Sequence, residues 1–139
     1  MKYTIESSEK EKLIEIFAYQ LEKQHKEIRF AYIFGSFISA MYFSDIDLGI
    51  VVGVDLKSPL NFEIELENRL EKIAKFPVDV RVLNNAPISF TQNVFRTGRV
   101  ILDKYPNIRA DFEGRILKEY FDFAPYQRAY LHEVINAPV

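Results

Sequence analysis

The sequence predicts an α/β (α+β) protein in which a small mixed sheet of three to four strands is covered by helices. Apolar residues recur at helical spacing in some segments, whereas other segments are short runs of β-branched and aromatic residues. The two kinds of segment alternate along the chain, an order typical of helices packed on a sheet. The 139 residues contain no internal repeat and no linker, so we expect a single domain over residues 1–139.

The predicted helices begin at capping residues and continue through apolar positions at helical spacing. Ser8 and Glu11 match a capping box, and Ser58 followed by Pro59 is typical of a helix start. Gly98 is expected to end a helix that begins near residue 87. The predicted helices cover residues 9–26, one or two turns within 36–43, then 58–75, 87–97, and two segments within 106–136 that are separated near Pro125.

The predicted strands are short apolar runs, most of them bounded by glycine or proline. "IRFAYIF" (28–34) ends at Gly35, and "DIDLGIVV" (45–52) ends at Gly53. "PVDVRVL" (77–83) is the third strand, and "RVILD" (99–103) is the candidate for a fourth. These runs alternate with the predicted helices.

Composition and charge exclude several classes of protein. The formal net charge is −2, so no bulk attraction for nucleic acid or an anionic membrane is expected. No apolar run approaches the ~20 residues that span a bilayer, and the first residues lack the apolar core of a signal peptide. Cysteine is absent, which fits a reducing compartment. We therefore expect a cytoplasmic protein that binds neither membranes nor nucleic acids directly.

Two predicted strands carry acidic side chains on one face. Asp45 and Asp47 are two residues apart, so on a strand they point to the same face, roughly 7 Å apart at Cα. Asp79 shares a face with Arg81 on the third predicted strand. Gly49 follows on the acidic face of the second strand and is expected to leave that face open. If the two strands are neighbours with their apolar faces aligned, three carboxylates converge on one patch.

Converging carboxylates repel one another unless cations bind them. Carboxylate oxygens are the ligands that Mg²⁺ prefers, usually together with waters and substrate phosphates. Gly35 and Ser36 directly follow the first strand and begin a short helix, where backbone amides and the serine hydroxyl can donate to phosphate oxygens. A phosphate site that faces a carboxylate-bound metal pair is the minimum that in-line phosphoryl or nucleotidyl transfer requires.

Each of these features has a simpler interpretation when taken alone. A Gly-Ser pair is most often a turn, and an Asp-x-Asp is usually a solvated strand edge. Asp79 and Arg81 could form an exposed ion pair that contributes ~0–1 kcal/mol. The histidines, His25 and His132, are far apart, and His25 is expected to be solvated among charged residues. A histidine metal site and a hydrolase triad at Ser36 are therefore disfavoured. It is the ordered combination of a strand, Gly-Ser and the acidic residues that favours phosphoryl transfer.

"GSFISAMYFSDIDLGI" followed by "VDVRVLNNAP" resembles the minimal nucleotidyltransferases of the DNA polymerase β-type superfamily. Within that superfamily, "NNAPISFTQNVFRTGRVILD" and "RADFEGRILKEYFDFAPY" are most similar to the MNT/MntA antitoxins that pair with HEPN toxins. The resemblance covers nearly the whole chain and implies the nucleotidyltransferase fold. It implies that Gly35 and Ser36 bind the nucleotide's phosphates and that Asp45 and Asp47 hold Mg²⁺. Asp79 would be the third carboxylate, acting as a metal ligand or general base.

The resemblance also implies an activity and a partner. It implies that the chain transfers AMP from ATP to a tyrosine of a cognate HEPN toxin, a ribonuclease, and that Mg²⁺, expected as two ions, is the cofactor. The AMP-modified toxin would then be inactive. Because we expect a single domain without a large acceptor-binding domain, a protein acceptor in a hetero-oligomer with the toxin is favoured. The C-terminal aromatic residues could be an interface anchor or part of the helical cap of the domain's own core, and both can hold for different members of the set: Tyr120, Phe121, Phe123, Tyr126 and Tyr130.

Two other functions are compatible with the sequence. The chain could neutralise its toxin by binding alone, although the intact acidic and Gly-Ser positions argue against a decayed site. It could instead be a nucleotidyltransferase for a small molecule such as an aminoglycoside, and the missing acceptor domain weighs against that function.

Overall fold

The computed structural model describes the backbone of residues 1–136 and the side chains of residues 1–122. Within these residues, five helices alternate with four strands. The helices are α1 (Ser7–Gln24), α2 (Ser36–Ser39), α3 (Pro59–Ala74), α4 (Ile88–Thr97) and α5 (Pro106–Asn136). The strands are β1 (Ile28–Phe34), β2 (Ile46–Val52), β3 (Val78–Val82) and β4 (Arg99–Asp103). Ser58 accepts a hydrogen bond from the Asn61 amide, which confirms the predicted start of α3.

The four strands form one mixed sheet in the order β3-β2-β1-β4. β1 pairs antiparallel with both β2 and β4, whereas β2 and β3 are parallel. α3 is the connection between the two parallel strands, which cannot be joined by a tight turn. The predicted mixed sheet is therefore confirmed, and the candidate fourth strand is one of its two edges.

Helices cover both faces of this sheet. On one face, α1 and α3 contribute Phe17 and Leu66 to a core shared with the strands. On the other face, α4 and α5 contribute Val94 and Phe112 to a second core. The sheet thus separates two apolar layers, as its strands with buried residues on both sides require.

The expectation that Gly49 leaves its face open is wrong. Gly49 is buried, and a Cβ built on it would lie 2.9 Å from the Leu83 Cδ1 atom and 3.1 Å from the Val94 Cγ1 atom. Glycine at this position therefore allows close packing beneath α4 rather than an opening. The acidic face of β2 continues into the second core directly beyond Asp47.

The predicted capping box at the start of α1 is also wrong. α1 begins at Ser7 with Glu6 as its N-cap residue, and no side chain caps its first turn. Glu11 instead accepts two hydrogen bonds of 2.7 Å from the guanidinium of Arg99 on β4. This bidentate ion pair draws the carboxylate away from the helix start, where the capping box needs it.

His25 is buried rather than solvated. Its side chain lies against Phe62, with 6.4 Å between the ring centroids, and the residue is only 8% exposed. Burial lowers the pKa of His25, and the neighbouring Glu27 carboxylate partly opposes that effect. His25 follows the last turn of α1 and turns inward, whereas the neighbouring Lys23 and Lys26 are exposed.

α5 runs as one helix through Pro125, so the predicted break there is wrong. A proline removes a single N–H donor, and the hydrogen bonds of the turns on either side can keep a long helix continuous.

The first half of α5 is anchored to the sheet by polar contacts. The Tyr32 hydroxyl donates to Glu113 at 2.6 Å, and Arg109 donates to both Glu113 and Asp103.

The C-terminal aromatic residues are only partly described. Tyr120 is half-buried, and Phe121 is 64% exposed and therefore lies outside the core. Phe123, Tyr126 and Tyr130 fall outside the described side chains.

Among residues 1–136, no helix combines the length and the apolar character that crossing a membrane requires.

Candidate active site

Three carboxylates meet at the end of the β2–β3 pair. Asp47 on β2 and Asp79 on β3 are partners in the parallel register, and Asp45 directly precedes β2. One carboxylate oxygen from each of the three residues lies within 4.8 Å of the others. All three side chains are half-buried. The predicted convergence of Asp45, Asp47 and Asp79 is therefore present, because β2 and β3 are neighbours with the same faces aligned.

Gly35 lies directly against this acidic cluster. It follows Phe34, the last residue of β1, which is paired with Asp47 across the antiparallel register. Gly35 has φ of +80°, in the left-handed region that disfavours residues with a Cβ. A Cβ there would also overlap the Asp47 carboxylate, at 3.2 Å from its Cγ atom. Both the backbone conformation and the close approach therefore require glycine at this position.

Ser36 begins α2, so the Gly-Ser pair opens a helix as predicted. The first amides of a helix have no partner within the helix and remain available to donate to an anion. Lys10 fixes the far end of α2: its Nζ atom donates to the Phe37 and Ala40 carbonyls, each at 2.9 Å. The sequence contains no signal for this contact, because Lys10 is 27 residues from Phe37.

The acidic cluster carries uncompensated negative charge. Burial, together with the charges of the nearby Asp45 and Asp79 carboxylates, raises the pKa of Asp47 to about 7. Arg81 opposes this effect, but its Nε atom lies 3.7 Å from Asp79 and its side chain is 60% exposed. This predicted ion pair is present, yet an exposed pair of this kind contributes only ~0–1 kcal/mol.

A fourth carboxylate, which the sequence did not single out, lies beside the cluster. Burial raises the pKa of Glu67 on α3, and the charge of Asp79 raises it too, while a hydrogen bond from the Val80 amide acts in the opposite direction. The signal that could have revealed it is the spacing of glutamates along α3, which places Glu63, Glu67 and Glu71 on one side of that helix.

These residues fit a divalent cation. Three oxygen ligands within 4.8 Å of one another, with a raised pKa on the central one, make a site in which a bound cation relieves repulsion. Within the part of the chain that the structure describes, Arg81 is the basic side chain ion-paired to the cluster, and it contacts Asp79 alone. An all-oxygen donor set suits hard cations.

The raised pKa of Asp47 predicts how stability depends on pH when divalent cations are removed. The folded protein holds a proton on Asp47 up to about pH 7, whereas the unfolded chain loses it near its ordinary value of 3.8. The folded state binds more protons between these values, so the free energy of unfolding falls as pH rises through this window. The loss is about 1–2 kcal/mol, since solvent at the half-exposed site screens the repulsion.

Urea unfolding in EDTA at pH 4.5 and pH 8 measures this effect. Asp47→Asn is expected to stabilise the protein relative to the wild type at pH 8 and not at pH 4.5. The wild type and the variant both retain His25 and the other titrating groups, so the difference between the two proteins at each pH reports Asp47 alone. Equal pH dependence in the two proteins would contradict the assignment.

The fold and the site can be compared with known proteins. No curated protein matches the chain. A chain in the crystal structure of the toxin–antitoxin MntA–HepT is 18% identical and superposes with a TM-score of 0.72, covering 90% of this chain and 98% of that one. A chain in the structure of the tri-AMPylated Shewanella oneidensis HEPN toxin in complex with MNT antitoxin is 19% identical, with a TM-score of 0.73 and coverage of 91% and 98%. A chain of the toxin–antitoxin with AMP-PNP is 20% identical, with a TM-score of 0.73 and coverage of 88% and 98%.

These likenesses show the same fold. A family model described as polymerase beta, nucleotidyltransferase matches residues 11–107. The matched segment runs from α1 to the start of α5, and it contains the Gly-Ser turn and all three converging carboxylates. The chain therefore belongs to the polymerase β-type nucleotidyltransferase family.

Proposed function

We propose that this protein is a Mg²⁺-dependent nucleotidyltransferase that transfers AMP from ATP to a tyrosine of a HEPN-family ribonuclease toxin, and that it acts as the toxin's antitoxin. The observation that carries the proposal is the close approach of Gly35 to Asp47, which places the Gly-Ser turn beside the cluster of Asp45, Asp47 and Asp79. The family match supports nucleotidyl transfer as the chemistry. The described partners of the structural neighbours support the acceptor, since one of them is a HEPN toxin that carries AMP groups.

A macromolecular acceptor suits the architecture. The helices of the described residues cover the sheet's own cores, and the acidic cluster stays half-exposed at the end of two strands. A partner that supplies the acceptor hydroxyl can reach such a site from outside. We therefore propose a hetero-oligomer of this chain with its toxin, like the complexes described for the neighbours.

The proposed reaction is an in-line displacement at the α-phosphorus of ATP. The tyrosine oxygen forms a bond to that phosphorus, the bond to the oxygen that bridges to the β-phosphorus breaks, and pyrophosphate leaves. In this scheme Asp79 accepts the proton of the tyrosine hydroxyl. The amides that open α2 and the Ser36 hydroxyl donate to phosphate oxygens and orient the donor.

Asp45 and Asp47 would hold Mg²⁺, two ions in our proposal, with Asp79 as the third ligand. When bound, such ions neutralise charge on the phosphate oxygens and on the attacking and leaving oxygens. An AMP-PNP complex among the neighbours supports ATP as the donor. Because ATP is the donor and the chain has no cysteine, we propose the cytoplasm as its compartment.

Labelled ATP tests this proposal. The protein is incubated with its proposed HEPN partner, with Mg²⁺, and with ATP labelled at either the α- or the γ-phosphorus. Label is expected on the HEPN protein from α-labelled ATP only, because the γ-phosphorus leaves in pyrophosphate. Label from γ-labelled ATP would indicate a kinase, and label from neither would favour neutralisation by binding alone.

A further inference from the structure

The outer edge of β3 is closed by three carboxylates of α3. β3 is an edge strand, so alternate amides of its backbone face away from the sheet. Each of these amides donates to a glutamate side chain, and we call this set of contacts the glutamate ladder. Its hydrogen bonds run from Val78 to Glu71 (3.0 Å), from Val80 to Glu67 (2.8 Å) and from Val82 to Glu63 (2.8 Å).

The ladder depends on a match between helix and strand repeats. Four residues of an α-helix advance by about 6 Å, and two residues of a strand advance by about 6.6 Å. Glutamates four residues apart on α3 therefore meet amides two residues apart on β3. The first glutamate bonds to the last amide, so α3 and β3 lie side by side in opposite directions.

Asp79 is held between two rungs of this ladder. The Ile46 amide donates to the Pro77 carbonyl, and the Leu83 amide donates to the Ile50 carbonyl. Odd-numbered residues of β3 thus turn their backbone groups towards β2, and Asp79 belongs to this set. The two amides that flank Asp79 point outward to Glu71 and Glu67. The backbone at Asp79 is therefore bound from both sides.

The ladder glutamates differ from the other charged residues of α3. Glu63, Glu67 and Glu71 are half-buried, whereas Glu65 and Arg69 are exposed. A half-buried carboxylate needs hydrogen bonds to offset its lost hydration, and a charged acceptor makes a stronger bond to an amide than a neutral one does. The ladder is thus a set of oriented contacts, not a solvated helix face.

We propose that Glu67 is a positioning residue for the transfer reaction, because its hydrogen bond to the Val80 amide holds β3 in the register that sets Asp79 beside Asp47. Glu71 does the same on the other side of Asp79. A slip of one residue in β3 would turn Asp79 to the opposite face of the sheet. The kinetic part of this inference rests on the proposed function.

The chain offers a matched control. Glu63 makes the same bond to Val82, beyond Arg81 and away from the acidic cluster. If the ladder only protects the sheet edge, Glu63→Ala and Glu67→Ala have the same effect on thermal stability and on transfer activity. If Glu67 positions Asp79, the two variants lose similar thermal stability, but only Glu67→Ala loses transfer activity.

The expected kinetic result is a fall in kcat of about 30–100-fold for Glu67→Ala with KM for ATP within about 3-fold of the wild type, since small misplacements of reacting groups cost this much. Glu63→Ala is expected to keep kcat within about 3-fold, as is Glu67→Gln, whose amide oxygen can still accept the bond. Equal losses in the two alanine variants, or a Glu67→Gln variant as slow as Glu67→Ala, would overturn the proposal.

Hydrogen exchange separates this inference from the proposed function. Without nucleotide or metal, the Asp79 amide is expected to exchange at least about tenfold faster in Glu67→Ala than in Glu63→Ala. This result is decisive even if the wild type transfers no AMP, an outcome that would reject the proposed function alone. Should Glu67→Ala fail to fold, Glu67→Asp and Glu63→Asp replace the pair, because the shorter acid keeps its charge but loses its reach. Equal Asp79 exchange in the matched variants would overturn the inference.

Discussion

Replacement of both Asp45 and Asp47 by asparagine is expected to abolish AMP transfer while the fold is retained. The loss should be at least about a thousandfold in rate, which corresponds to about 4 kcal/mol of transition-state stabilisation from a metal site. The fold should survive because the substitution removes repulsion among carboxylates that lie within 4.8 Å of one another. Transfer rates with Mg²⁺ and urea unfolding in EDTA measure the two effects.

The matched control for this variant is Asp55→Asn. Asp55 is an exposed aspartate beyond the opposite end of β2, so the same chemical change occurs away from the acidic cluster. It is expected to leave both rate and stability within error of the wild type. Transfer by the double variant at the wild-type rate would show that the carboxylates do not hold the metal.

Gly35→Val is expected to lower the transfer rate by about a hundredfold or more and to destabilise the fold by about 2–4 kcal/mol. Valine is strained at a φ of +80°, and its side chain would overlap the Asp47 carboxylate. The Gly-Ser turn and the acidic cluster would therefore both be displaced. Thermal unfolding and transfer kinetics, measured on the same preparations, report the two effects.

Two further variants bracket this result. Ser36→Ala removes one hydrogen bond to a charged group, worth ~1.5–3 kcal/mol, so its loss of activity should be smaller than that of Gly35→Val. Gly114→Val is the control for the glycine substitution, because a Cβ at Gly114 on α5 meets no neighbouring atom within 4 Å. Normal labelling of the acceptor by Gly35→Val would show that the phosphates bind elsewhere.

Much of the site could be predicted from sequence because its residues follow patterns that involve only their near neighbours in the chain. The two-residue repeat of a strand predicts that Asp45 and Asp47 share one face, although Asp45 comes just before the first residue of β2. The same repeat places Asp79 on the face of β3 opposite its valines. The place of Gly35 directly after a strand predicts a phosphate-binding turn there. Its contact with Asp47 follows from the pairing of β1 with β2, which no local pattern contains.

Two of the predictions that failed concern residues whose structural partners lie far away in the sequence. The N-cap of α3 involves Ser58 and Asn61, three residues apart, and is present. The capping box of α1 also looked local, but Glu11 bonds to Arg99, 88 residues away. Gly49 looked open because the helix that packs over it comes from later in the chain. Local patterns therefore predict an element well until a tertiary contact competes for the same side chain.

The ladder glutamates also show that a local pattern does not reveal a tertiary contact. Their four-residue spacing is visible in the sequence, but it is equally typical of a solvated helix face. Only the placement of α3 along the edge of β3 shows that these side chains bond to the strand that carries Asp79.

The intact mass of the HEPN partner tests the central claim most directly. After incubation with this protein, ATP and Mg²⁺, the partner is expected to gain about 329 Da for each AMP transferred, the mass that phosphodiester formation adds. The added mass should map to a tyrosine, and the modified partner should stay inactive as a ribonuclease once this protein has been removed. Asp79→Asn should eliminate the gain in mass. Neutralisation of the partner with no change in mass, equally by the wild type and by Asp79→Asn, would contradict the account and show that binding alone is sufficient.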